Sequence, residues 1–124
     1  MKTEHLLLCG ALCLFWAWAT PSAAAETQVD AAGFYQLRCA SCHGVHGEGT
    51  RDKSPSLAPP LKGNPLVVNA PATVLVGIIR HGRSGQQRVY DESFPNMPAF
   101  GPEMVPDVEG LANYIKTDLQ TAGN

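Results

Sequence analysis

Residues 39–43 read Cys-Ala-Ser-Cys-His, and no other stretch of this chain limits its fold so severely. Two cysteines three apart, with a histidine directly after the second, form the pattern for covalent attachment of c-type haem. The chemistry sets the spacing. Each thiol adds to one haem vinyl group to give a thioether, and the short turn between them places both sulfurs along one edge of the ring. The next side chain then lies under the porphyrin, where an imidazole nitrogen can bind iron. The pentapeptide also arises by chance, so its surroundings carry weight.

The chain of 124 residues opens on a segment that reads as an export signal. Leu6 to Ala19 is a 14-residue run without charge, preceded by Lys2 and followed by Thr20-Pro21-Ser22-Ala23-Ala24-Ala25. A short apolar stretch with small residues at Ala23 and Ala25 describes a signal peptide, residues 1–25, cut before Glu26. An uncleaved anchor is the competing reading, but a spanning helix wants about 20 apolar residues, and Pro21 follows the run almost at once. The domain expected is therefore 26–124, exported to the periplasm, with no stable membrane span in its mature form.

Removing the signal takes Cys9 and Cys13 with it, so Cys39 and Cys42 are the only cysteines left. Exported proteins normally spend cysteines on disulfides, yet here both lie inside the motif. A thioredoxin-like redox pair would need a βαβ surround, and a Gly/Pro-rich loop follows Cys42. A zinc site would need further cysteine or well-spaced histidine ligands, and only His46 and His81 remain. A domain this short buries a modest core and usually needs a staple, a place that one covalent haem can fill.

From Glu26 onward there are 10 acidic and 8 basic residues, a net charge near −2 with no basic stripe, which argues against a nucleic-acid partner. Three stretches read as helices. Val29 to Cys39 has apolar residues at Val29, Ala32, Phe34, Tyr35 and Leu37. Pro71 to Arg80 opens on a proline suited to a first helical turn and ends near Gly82. Pro106 to Leu119 places Val108, Leu111, Ala112 and Ile115 on one face. Gly44 to Asn64 and Arg83 to Val105 are rich in Gly, Pro, Ser and Asn and read as loops. Short helices tied by long loops are unusual in a compact domain unless something large fills the middle.

The whole of 26–124 resembles a class I cytochrome c of the small bacterial type. The resemblance rests on Tyr35 four residues before Cys39, on Cys39-Ala40-Ser41-Cys42-His43-Gly44, on Gly44-Val45-His46-Gly47-Glu48-Gly49-Thr50 and on Pro59-Pro60-Leu61-Lys62-Gly63. Asn96-Met97-Pro98-Ala99-Phe100-Gly101 and Leu111-Ala112-Asn113-Tyr114-Ile115 complete it. It implies an all-α fold of short helices and long loops wrapped around one haem c. The pattern is most similar to cytochrome c subunits that accept electrons from periplasmic quinoprotein or flavin dehydrogenases. Two positions depart from the family: Ala31 stands where a glycine is usual at the crossing of first and last helices, and Val105 stands where the last helix is usually capped by Ser, Thr or Asp.

A sixth iron ligand must face the histidine across the ring. Met97 lies between Pro95 and Pro98, and a residue before proline is pushed to an extended conformation. Met104 is nearer the last helix and reads as packing there. His46 is too close to His43 to reach the far face, whereas His81 can reach it and keeps a bis-histidine iron open. The resemblance to the family's Met-Pro-x-Phe segment selects Met97. It also implies that His43 donates its second ring N–H to the carbonyl of Pro59; otherwise Pro59 and Pro60 only stiffen a loop. Lys62, Arg80 and Arg83 are the cations to examine for the propionates.

These readings converge on a carrier of one electron rather than an enzyme, with Cys39 and Cys42 as thioethers and His43 and Met97 as axial ligands. Its partners are a redox donor and acceptor, with a periplasmic dehydrogenase and a terminal oxidase as candidates. Ala40, Val45, Pro98, Ala99 and Phe100 are the small or apolar residues expected at the exposed haem edge. The alternatives are a tightly held subunit of a dehydrogenase complex, a five-coordinate ligand-binding haem protein if Met97 does not ligate, and a thiol oxidoreductase.

Overall fold

A computed structural model describes residues 30–50, 52–85 and 94–123. The expected signal, residues 1–25, lies outside the described residues. All regular structure among them is helical, apart from one isolated antiparallel bridge between Arg83 and Met97.

Helix α1 runs through three consecutive segments, Ala31–Phe34, a π-helical turn Tyr35–Cys39, and Ala40–His43. Its start is set by Asp30, whose carboxylate accepts from the Gly33 N–H at 2.7 Å, satisfying a donor that the first turn leaves orphaned. The expected helix stopped at Cys39, whereas the observed one carries through the motif to His43 and ends at Gly44. Helix α2, Pro65–Asn69, was not foreseen; Asn64 caps it by accepting from the Leu66 N–H at 2.9 Å, with Pro65 in the first turn. Helix α3 is Ala72–His81, one residue displaced from the expected span, with Pro71 as its extended cap and Gly82 closing it.

The last helix differs more. It begins at Val108 rather than Pro106, and Asp107 caps it by accepting from the Gly110 N–H at 2.8 Å. Val105 is therefore not the cap; it is 2% exposed and packs in the core. The chain also breaks at Thr117, giving α4 as Val108–Lys116 and α5 as Asp118–Thr121.

The face of α4 expected to be apolar is the floor of the core. Leu111, Ala112 and Ile115 pack with Tyr35 of α1, Val67 of α2, and Leu75 and Ile79 of α3. Tyr35 and Tyr114 meet across the α1–α4 crossing with ring centroids 5.8 Å apart. Short α2 has too few residues to hold itself, and α4 closes it. The Lys116 ammonium donates to the carbonyls of Val67, Val68 and Ala70 at 2.9, 3.1 and 2.6 Å, using all three of its donors on the open end of α2. Lys116→Met keeps the apolar stem and removes those bonds. It should cost about 1.5–3 kcal/mol, the usual range for hydrogen bonds to a charged group, read as a lower denaturant midpoint of the haem-loaded protein. An unchanged midpoint would mean that water serves those carbonyls as well.

Candidate haem site

In a helix, residues i, i+3 and i+4 share one face, which is the spacing of Cys39, Cys42 and His43. All three line a single cleft, together with Pro59 and Met97. The two cysteines, the two residues expected as iron ligands and Pro59 thus line one cleft. The π-helical turn ends on Cys39, the first residue of the motif, with the Ala40 N–H donating to Tyr35 O one residue farther back than in an α-helix. Such bulges frequently occur at functional sites. Tyr35 then fixes the motif's far end, since its hydroxyl donates to Gly44 O at 2.7 Å. Burial is the main reason its phenol is held well above its usual range, so the proton that bond needs is retained.

His43 Nδ1 lies 3.1 Å from Pro59 O. A carbonyl only accepts, so this contact places the ring proton on Nδ1 and leaves Nε2 as the acceptor. Burial holds the His43 pKa below its ordinary value, partly offset by that same bond. The ring is accordingly neutral, as a metal ligand must be. The loop bearing Pro59 is held from within. Thr50, 4% exposed, accepts from the N–H groups of Leu57 and Ala58 at 2.7 and 2.9 Å. Gly49 donates to His43 O at 2.7 Å from a φ of 75°, and a Cβ there would fall 2.6 Å from Pro60 N. Thr50 and Gly49 therefore set the reach from His43 to Pro59, a role their positions in sequence did not disclose.

Burial, and secondarily Cys42, pushes the Cys39 thiol up to about 11. A redox pair needs an attacking thiolate near neutral pH, so Cys39 is poorly suited to that chemistry, and among the described residues no strand supplies the βαβ surround. Nor do three His, Cys, Asp or Glu side chains gather there into a metal-holding group, as a zinc site would need.

Among the candidates for a sixth ligand, Met97 is half-buried and lines the cleft, whereas His81 is exposed at the end of α3 and does not. Met104 is 48% exposed rather than packed against the last helix, because that helix begins four residues after it. Of the three cations, Arg83 lines the cleft, as does Arg38. Arg80 instead donates to Phe100 O at 3.3 Å, and Lys62 donates to Ala122 O. Around the expected haem edge, Val45 is 50% exposed, and Pro98 and Ala99 are exposed. Ala40 is not: at 8% exposure it belongs to the core, because the helix continues through the motif and turns it inward. Phe100 is half-buried, edge-on to Phe34 at 6.4 Å.

The cleft opens to solvent on one side and is bounded by residues of α1, the loop 57–64, α2, α3 and the segment 94–100. Its walls are mainly apolar, with Leu57, Leu66, Val67, Leu75, Ile78 and Phe94 among them. An apolar cleft with two thiols, an imidazole and a thioether on its walls has the donor set that a covalently attached haem needs. A contiguous inner cavity behind it reaches Leu111 and Ile115 of α4.

Comparison with known proteins shows the family. The family model described as "Cytochrome C oxidase, cbb3-type, subunit III" matches residues 26–115, a span that contains every residue lining the cleft. The cytochrome c subunits of quinone alcohol dehydrogenases from Gluconacetobacter polyoxogenes and Komagataeibacter europaeus are each 32% identical to this chain over 90 residues, 72% of its length. That stretch is 18% of each relative, so the chain spans under a fifth of the curated relatives it matches. The chain belongs to the cytochrome c family described by that model, as an all-helical class I cytochrome c domain.

Proposed function

We propose that this chain is an exported, periplasmic carrier of single electrons, holding one haem c through thioethers at Cys39 and Cys42 and axial bonds from His43 and Met97. The convergence of those four side chains on one apolar cleft is the observation that carries the reading. When bound, haem c supplies a one-electron iron couple. The residues around it do the rest. Pro59 O orients the imidazole of His43 and raises its basicity. A thioether favours ferrous iron and a higher potential than a second imidazole would give. The apolar walls would exclude water, and with His43 and Met97 both holding the iron no position would be left for substrate.

The run Leu6 to Ala19 with Ala23 and Ala25 supports cleavage before Glu26 and export. The kinship with dehydrogenase cytochrome subunits supports a quinone-dependent dehydrogenase as donor, and a terminal oxidase is the acceptor proposed. The test is a potentiometric titration of the purified protein followed by exposure of its reduced form to carbon monoxide. One reversible electron per chain and no carbon monoxide adduct are expected. Ready carbon monoxide binding would instead make this a ligand-binding haem protein.

A further inference from the structure

Helix α3 ends against the segment that carries Met97, and most of the contact is made by backbone. The Arg83 N–H donates to Met97 O, and the Met97 N–H donates to Arg83 O, each at 3.0 Å. Three residues on, the Phe100 N–H donates to Ile79 O at 2.9 Å, and Arg80 Nη1 donates to Phe100 O at 3.3 Å. Residues 97–100 are thereby tied at both ends to the last turn of α3 and the residues after it. Gly82 sits between the two ties. Its φ of 68° and ψ of −167° fall in a region that is essentially restricted to glycine. Space imposes the same residue independently. A Cβ at Gly82 would overlap Met97 O and come within 2.8 Å of the Pro98 carbonyl carbon and 2.9 Å of Ala99 N. All three are backbone atoms, which cannot swing aside as a flexible side chain could.

We propose that Gly82 is a positioning residue for the sixth ligand. By presenting no side chain it lets the end of α3 clasp Met97 to Phe100, and the clasp keeps the Met97 thioether seated in the cleft against competing bases. The proposal rests on the reading of Met97 as axial ligand, and it adds what keeps that ligand in place.

Imidazole binding to the ferric, haem-loaded protein measures the clasp, because an outside base binds only in the fraction of molecules whose sulfur has left, and its apparent affinity scales with that fraction. Gly82→Ala should bind imidazole at least about tenfold more tightly than the unmutated protein and should weaken the sulfur-to-iron band in the red. Gly63→Ala is the control. Gly63 also has a positive φ, 69°, but nothing lies within 4 Å of its Cβ position, so it brings backbone strain without the overlap. Its imidazole affinity should stay within about twofold of the unmutated protein. Arg80→Met loosens one tie without touching the backbone and should tighten imidazole binding by less than Gly82→Ala, with Arg80→Lys recovering part of the loss. Should Gly82→Ala yield no haem-loaded protein, Arg80→Met decides: tighter binding supports the clasp and unchanged binding overturns it. Equal tightening in Gly63→Ala and Gly82→Ala also overturns it, since general loosening would then explain both. Met97→Ala separates the two levels. If it binds imidazole tightly while Gly82→Ala behaves like the unmutated protein, the ligand assignment stands and the clasp is wrong. If Met97→Ala binds no more tightly than the unmutated protein, the ligand assignment itself is wrong.

Discussion

Haem will remain with this chain through denaturing electrophoresis and through extraction with acidified acetone. Both procedures destroy axial bonds and packing, and neither breaks a thioether. The expectation follows from Cys39 and Cys42 lining one cleft together, where a single macrocycle can take both thioethers. Haem staining of the denatured band is the measurement. Colourless protein, or haem that passes into the acetone, would remove the central claim and return the two thiols to other chemistry. Cys39→Ala should leave one thioether and a poorly matured product. The cleft is walled by Val67 and Leu75, and the inner cavity by Leu111 and Ile115, all residues of the core that holds the helices together. Loss of one attachment should therefore register as loss of fold stability, on the order of 2–5 kcal/mol by analogy with removing a native crosslink from a small exported domain.

What could be read from the sequence was local. The motif, the apolar face of α4 and the end of α3 at Gly82 each depend on residues within a few positions, through periodicity or through a turn that only particular residues make. What escaped depends on partners far along the chain or on a shift of one or two residues. Placing the start of the last helix at Pro106 made Val105 the cap position; two residues later, Asp107 fills it. The π-helical turn has no local signature, yet by carrying α1 through the motif the fold turns Ala40 inward. Helix α2 is five residues long and is closed by Lys116, 46 to 49 positions away. Gly82 was read only as the end of α3, and Gly49 and Thr50 only as part of a matching loop, because their further roles are to permit or hold approaches between distant segments of backbone. The site residues themselves were legible as types and spacings, and for Met97 and Pro59 through resemblance. Their convergence on one haem followed from that resemblance and not from the spacings alone.

Met97→Ala should have the largest effect on the chemistry of any single change at this site. In the ferric protein, sulfur ligation should give a weak charge-transfer band near the red edge of the visible spectrum, and the substitution should abolish it. The reduction potential should fall by a sizeable part of the roughly 0.8 V over which axial ligands set haem potentials, because the thioether's preference for ferrous iron is lost. The reduced protein should then bind carbon monoxide, which the unmutated protein should not. Two further substitutions isolate the ligand. Met104 is 48% exposed and away from the cleft, so Met104→Ala should keep the band and change stability by no more than about 0.5 kcal/mol, as surface changes do. His81 is exposed on the end of α3, and His81→Ala should leave the low-spin spectrum as it was. A band that survives Met97→Ala but disappears with Met104→Ala would move the ligand to Met104. A spectrum altered only by His81→Ala would make the iron bis-histidine, and the Met97 segment would then be a packing element whose tie to α3 serves the fold alone.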